Sequence, residues 1–280
     1  MNKILVLEIM VLVLFLSMLP VTGAAYQGDG IVEPGESSEE ELRRAAQNPV
    51  ADLISFPIQN NTNFKYGPRE KTQNITNIQP VVPFHLSEDW MMISRTVAPL
   101  VSQPAFREDQ DREFGLGDIQ QAVFLSPRKT GRFLWGAGPV LLLDTATDDR
   151  LGTGKWSAGP SAVGLTIQPP WVFGALVQNI WSFAGDSDRD DVNQFLFQYF
   201  VNYNLPNGWY LTSSPVVTAN WEADSDNTWT IPFGGGVGRL FRIGKLPINS
   251  QVQGFYNVEK PDDLGPVWTL RFQVQVLLPK

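Results

Sequence analysis

Beyond residue 49 the chain has no apolar run long enough to cross a bilayer as a helix, yet it is written in short segments that alternate apolar with polar residues. A spanning helix needs about 20 apolar residues, whereas a tilted membrane strand needs only about 9–11. About twelve such segments can be drawn, near 50–65, 73–85, 89–100, 116–126, 131–143, 155–168, 171–184, 192–204, 208–221, 228–241, 247–257 and 266–278. In lipid every backbone donor and acceptor must be satisfied internally, so strands can cross only as a closed barrel. An even strand number is the bacterial pattern. The expectation is an all-β protein, a transmembrane antiparallel up-and-down β-barrel of about twelve strands.

The connections support this topology because they alternate. Leu86-Ser87-Glu88, Pro127 to Thr130, Pro169-Pro170, Leu205-Pro206-Asn207 and Arg242 to Leu246 are short. Those between them are mostly longer and acidic: 103–114, 144–154, 185–191, 222–227 and 257–265. Short periplasmic turns and longer outer loops are the expected asymmetry, with both ends of the barrel periplasmic. A soluble sandwich has no reason to alternate its loops in this way.

The faces agree. Phe195, Phe197, Tyr199, Val201 and Tyr203 share one side, Gln198 and Asn202 the other. Trp268, Leu270, Phe272, Val274 and Val276 oppose Thr269, Arg271, Gln273 and Gln275. Trp209 and Trp221 fall on one face, separated along the membrane normal by roughly 30 Å at a strand rise of ~3.3 Å and a ~40° tilt. Trp171 and Trp181 are placed similarly. These Trp residues and Trp268 are the expected lipid-interface girdle. The expected lumen-lining residues are Arg95, Gln178, Gln198, Asn202, Gln251, Gln253, Arg271 and Gln273, since a charge on the lipid face costs roughly 2–4 kcal/mol at mid-membrane. Pro80, Pro83, Pro99, Pro139, Pro160, Pro215 and Pro232 run against the scheme, because each removes a ladder donor.

The first residues read as a secretory signal. Lys3 precedes an apolar run from Ile4 to Leu19, then Pro20 and small residues to Ala25. The expected division is a signal peptide over 1–25, a periplasmic leader with a short helix over 26–49, and an outer-membrane barrel over 50–280. Ser38 to Gln47 carries a capping box and the i,i+4 pairs Glu39/Arg43 and Glu40/Arg44. It would lie free in the periplasm or rest at the barrel mouth.

Composition removes other classes. A net charge of −8 argues against a nucleic-acid partner. No cysteine and a single histidine exclude thiolate chemistry and leave little for metal sites. His85 stands two residues from Ser87, so a lipid-hydrolase pair is conceivable, but at a turn far from outer-leaflet lipid; a solvated turn histidine is the plainer reading. The Asp clusters at 144–149 and 186–191 lack the central Gly and distal Glu of a Ca²⁺ loop and read as solvated loops. Gly234 to Gly238 is followed by no Lys-Ser/Thr and reads as close packing or curvature.

A family resemblance completes the picture. Gln47-Asn48-Pro49-Val50-Ala51-Asp52-Leu53-Ile54-Ser55, then Pro57 and Gln59 to Phe64, resembles the opening of the outer-membrane barrel family named for the meta-pathway of phenol degradation, whose members are sometimes mislabelled neuromedin U. Asn77 to Phe84, Trp90, Ser94-Arg95-Thr96, Gly115 to Asp118 and Arg271 to Lys280 are similar to its later segments. The ending Leu278-Pro279-Lys280 departs from the terminal aromatic of many outer-membrane proteins. The resemblance implies an outer-membrane barrel with no established catalytic residues, and the family's name suggests uptake of aromatic compounds. The expected function is a narrow channel or transporter for small molecules, some of them aromatic. It would be no enzyme, would need no cofactor or metal, and would have the outer-membrane bilayer and a small solute as partners. The alternatives are a non-conducting structural or surface-interaction barrel and an outer-membrane lipid hydrolase.

Overall fold

The computed structural model describes residues 42–43, 46–129 and 133–278. The expected signal peptide and most of the expected leader lie outside them. Fifteen strand segments form one closed antiparallel sheet. They are β1 (Ile54–Tyr66), β2 (Lys71–Ile78), β3 (Val81–His85), β4 (Trp90–Gln103), β5 (Glu113–Leu116), β6 (Ile119–Pro127), β7 (Phe133–Leu143), β8 (Lys155–Gln168), β9 (Trp171–Gly185), β10 (Asn193–Asn204), β11 (Trp209–Ser213), β12 (Val216–Asn220), β13 (Trp229–Ile243), β14 (Leu246–Glu259) and β15 (Trp268–Leu278). Three of the twelve staves of the barrel are each broken into two segments: β2/β3, β5/β6 and β11/β12. The last strand closes on the first in unbroken register, from Ile54↔Leu278 to Phe64↔Trp268. No edge is left for lipid to meet.

Prolines explain two of the three breaks. Pro80 lies between β2 and β3, and Pro215 between β11 and β12, so neither has to donate within a ladder. The backbone groups freed beside them are recovered. The Gln79 amide donates to the Pro57 carbonyl, and the Pro80 carbonyl accepts from the Thr96 amide. Pro232 sits at a register shift in β13. Pro139 and Pro160 face each other across β7 and β8. There the β6–β7 pairing skips from Ala122↔Val140 to Leu125↔Ala137, and β8–β9 skips from Ala158↔Trp181 to Ser161↔Gln178. The missing donors thus coincide with missing rungs.

The outer wall is apolar between two aromatic bands. Trp90/Trp135 and Trp171/Tyr203 make edge contacts at the short-turn end. Phe195, Trp221 and Trp229 cluster at the long-loop end, beside Tyr256/Trp268. Trp171, Trp181, Trp221 and Trp268 are all exposed on this wall. Trp209 is half-buried, because the Arg239 guanidinium lies 5.1 Å from its ring centre. That cation stays on the interface with its charge over an aromatic face.

One patch of the outward face is polar. Asn60 and Thr62 of β1 alternate with the inward Gln59, Asn61 and Asn63 and fall between the exposed Ile58 and Phe64. They stand opposite Thr76 and Asn74 of β2. The Asn60 amide donates to Asn74 Oδ1 and Thr76 Oγ1, both at 2.8 Å. The Asn74 amide donates back to Asn60 Oδ1 at 3.1 Å and to Thr62 Oγ1 at 3.0 Å. Facing hydrocarbon, these groups have no water to turn to, so their mutual bonds keep them tolerable. Replacing Asn60 alone by Leu leaves Asn74 and Thr76 short of partners and is expected to cost about 1–3 kcal/mol. Replacing all four by apolar residues is expected to be near neutral. Urea unfolding of the protein in lipid vesicles measures both.

Candidate functional site

The barrel interior is the candidate site, and it is divided. One half is apolar. Met91, Ile93, Phe124, Val140, Leu165 and Val172 point inward from β4 to β9 and pack around Val50, which is 1% exposed. The residues singled out in the sequence as facing the lumen are all polar, and this apolar half is an addition to them. The alternation along these strands places large apolar side chains inward because something apolar from outside the sheet covers them. That something is the segment before β1. Leu42, Arg43 and Ala46 are helical, and Gln47 to Leu53 enters the short-turn end of the barrel. The Arg43 guanidinium donates to the Leu205 carbonyl, and Gln47 Nε2 donates to Asn204 Oδ1 at 2.9 Å. Ala51 and Leu53 pack with Leu277 and Leu240. The described end of the expected leader is therefore docked in the barrel mouth.

The other half is polar and holds two cavities. The one at the short-turn end has a volume of about 180 Å³ and includes Gln47, Ala51, Asn202, Asn249 and Gln275 in its wall. The second, of about 430 Å³, extends toward the long loops past Asn61, Asn77, Thr218, Asn257 and Thr269. Both have Gln59, Gln79, Arg95, Leu176 and Gln198 in their walls, so these five residues form the junction. Of the expected lumen residues, Arg95 and Gln198 stand at that junction. Gln178 and Arg271 line the larger cavity, and Asn202, Gln251 and Gln273 the smaller. Gln253 points inward but lines neither cavity. Its amide is buried against Ser214, accepting from the Ser214 amide at 3.0 Å and donating to Ser214 Oγ at 2.9 Å.

The break at Pro215 explains that arrangement. It strands the Ser214 backbone, whose amide goes to Gln253 and whose carbonyl accepts from Arg271 Nη1 at 2.7 Å. Arg271 Nε donates to Asn61 Oδ1 at 2.9 Å, and its guanidinium lies 4.9 Å from the Phe255 ring centre. Nearby, Tyr210 fills the space over Gly238, where a Cβ would come within 2.2 Å of its ring, and donates to Asn249 Oδ1 at 2.6 Å. The run Gly234 to Gly238 thus serves close packing.

At the long-loop end the connections are stapled together. Asp118, in the break between β5 and β6, accepts from the amides of Thr145, Ala146 and Thr153. Arg150 pairs with Glu113 and Asp148. Arg189 donates to the carbonyls of Gly152 and Thr153. The Arg150 amide, bonded to Asp148, holds that carboxyl below its ordinary range, with the Arg150 side chain adding to the effect. Asp191 is likewise lowered, first by the hydrogen bond from Lys155 and then by that from Ser182. Among the described residues no group of three or more His, Asp or Glu is placed to hold a metal ion. His85 Nε2 lies 2.6 Å from Asp52 Oδ2, while Ser87 Oγ accepts from the Asp89 and Trp90 amides. The histidine is thus aligned on an aspartate, and the serine is occupied in its own turn.

Neither a family model nor a curated protein matches the sequence. Among solved structures the chain is similar to an outer membrane channel from Pseudomonas putida, with a TM-score of 0.65 and 16% identity over 89% of this chain and 100% of that one. It is also similar to the NanC porin, with a TM-score of 0.51 and 8% identity over 81% of this chain and 100% of that one. At these identities the likeness concerns the fold. The class is an outer-membrane-type, twelve-stranded, antiparallel β-barrel.

The rim yields a test. Because folding lowers the Asp191 carboxyl, its contribution is full above the ordinary carboxylate range and fades as pH falls through the lowered value. The protection of the amides of residues 186–192, measured as hydrogen exchange relative to the intrinsic rate at each pH, should therefore fall at acid pH. Lys155→Met should bring the same loosening at neutral pH.

Proposed function

We propose that the protein is an outer-membrane channel for small solutes, exported by a cleaved signal peptide, with its short turns and docked leader on the periplasmic side. The observation that carries this reading is the two cavities, walled by Gln, Asn and Arg side chains among apolar ones, that meet at Gln59, Gln79, Arg95, Leu176 and Gln198. Together they extend from the long-loop mouth toward the short-turn end. A barrel whose only task was stability would gain more from filling that half with apolar side chains, as the β4–β9 half is filled. The resemblance of the Gln47–Phe64 and Asn77–Phe84 segments to the phenol meta-pathway family supports small, partly aromatic solutes.

The segment around Val50 favours a gated form of this reading, because it narrows the periplasmic end. Single-channel recording in planar bilayers is expected to show small conductance steps for the native protein. Val50→Asp puts a carboxylate against Ile93 and Phe124, should expel the segment, and should raise conductance severalfold. If the native protein and this variant are both silent at every voltage, the channel reading fails and the non-conducting structural barrel takes its place.

A further inference from the structure

The walls of the two cavities carry positive charge with no carboxylate to match it. Arg95 and Arg271 are the charged residues in those walls, and no Asp, Glu or Lys joins them there. The two arginines are used differently. Arg271 is occupied with Asn61, the Ser214 carbonyl and the Phe255 ring, and repairs the backbone break at Pro215. Arg95 donates from Nη2 to Gln79 Oε1 at 2.8 Å, and this is its only protein partner among the described residues. A guanidinium offers five N–H donors, so most of those on Arg95 are unspent. It stands two residues beyond Ile93 of the apolar half, at the junction of the cavities. A cation enclosed in a barrel and bonded to one neutral amide is costly unless another group completes its shell.

The neighbourhood indicates what that group is. A carboxylate is matched to the planar fork of a guanidinium and can accept two parallel bonds from it. Around Arg95, the amides of Gln59, Gln79 and Gln198 supply further donors. Apolar surface from Leu176, Leu196 and Val216 lies in the same wall and would receive a hydrocarbon body. A volume of about 430 Å³ lies within the usual range of small-ligand pockets, roughly 300–1,000 Å³. The rim does not compete for this role, since Glu113, Asp148 and Asp191 are tied to Arg150 and Lys155.

We propose that the Arg95 junction is a binding site for a small organic anion, a carboxylate carrying an apolar body, and that it makes the lumen prefer anions. This deepens the channel reading and rests on it for the meaning of the site. The binding itself can be tested apart from transport.

The test uses the full-length protein. Calorimetric titration in detergent compares benzoate with its neutral counterpart benzamide. Benzoate should bind at least about tenfold more tightly, as a charge-assisted pair requires. Arg95→Gln should erase that preference, Arg95→Lys should keep part of it, and the outward-facing Arg239→Gln should leave it unchanged. Heat-modifiable gel mobility reports that each variant is folded. If Arg95→Gln does not fold, the native benzoate/benzamide comparison and Arg95→Lys still decide. Equal binding of the two probes, no benzoate binding, or undiminished benzoate binding to a folded Arg95→Gln overturns the proposal. In bilayers under a KCl gradient, the reversal potential should take the chloride sign and shift toward the potassium sign in Arg95→Gln. A cation-selective native channel also overturns the proposal. A silent bilayer alongside Arg95-dependent benzoate binding would sink the channel reading and leave the anion site standing. Conductance without benzoate binding would do the opposite.

Discussion

Everything in this structure depends on the requirement that no backbone donor or acceptor face hydrocarbon unpaired. The closing ladder from Ile54↔Leu278 to Phe64↔Trp268 meets that requirement where a sheet would otherwise have edges. The prolines test it from within. Pro80 and Pro215 are placed in gaps between segments, Pro232 at a register shift, and Pro139 and Pro160 where the flanking ladders skip rungs. The freed groups are taken up by Pro57, Thr96, Gln253 and Arg271. Part of the lumen's polar lining is therefore a consequence of how the wall is interrupted.

The same rule governs polar side chains on the wrong face. Asn60, Thr62, Asn74 and Thr76 look outward yet close their bonds on each other. Arg239 looks outward and rests over Trp209. Inside, the burden is reversed. The apolar residues of β4 to β9 need cover, and Val50 with its neighbours supplies it. The lumen is thus an apolar half sealed by the segment around Val50 and a polar half left partly empty, with Arg95 where the two meet.

Much of this was legible beforehand. Segment boundaries such as 155–168 and 192–204 nearly coincide with β8 and β10, because a half-buried strand prints a period of two on the sequence. The same period is the reason Trp171 and Trp181 are assigned to the outer face, and Gln198, Asn202, Arg271 and Gln273 to the inner one, since each of the latter alternates with an aromatic or aliphatic row. What escaped was the Val50 segment and the apolar half of the lumen. Met91 lies between Trp90 and Met92, and Val172 between Trp171 and Phe173, so period alone cannot say which row is covered. Gln59, Gln79 and Leu176 were missed as junction residues because they come from different strands and meet only across the barrel.

By itself the sequence determined the class of fold, the number and order of strands and the end at which the long acidic loops cluster. These depend on local alternation, chain length and turn chemistry, all written in neighbouring residues. Only the tertiary structure decided how the interior is shared. Which proline lands in a gap, which arginine repairs a carbonyl and which keeps its donors free depend on contacts between residues far apart in the chain. The difference between Arg95 and Arg271 is the clearest case. Both are inward arginines by pattern, but closing the barrel sets Arg271 against the stranded Ser214 carbonyl and leaves Arg95 facing the cavity with Gln79.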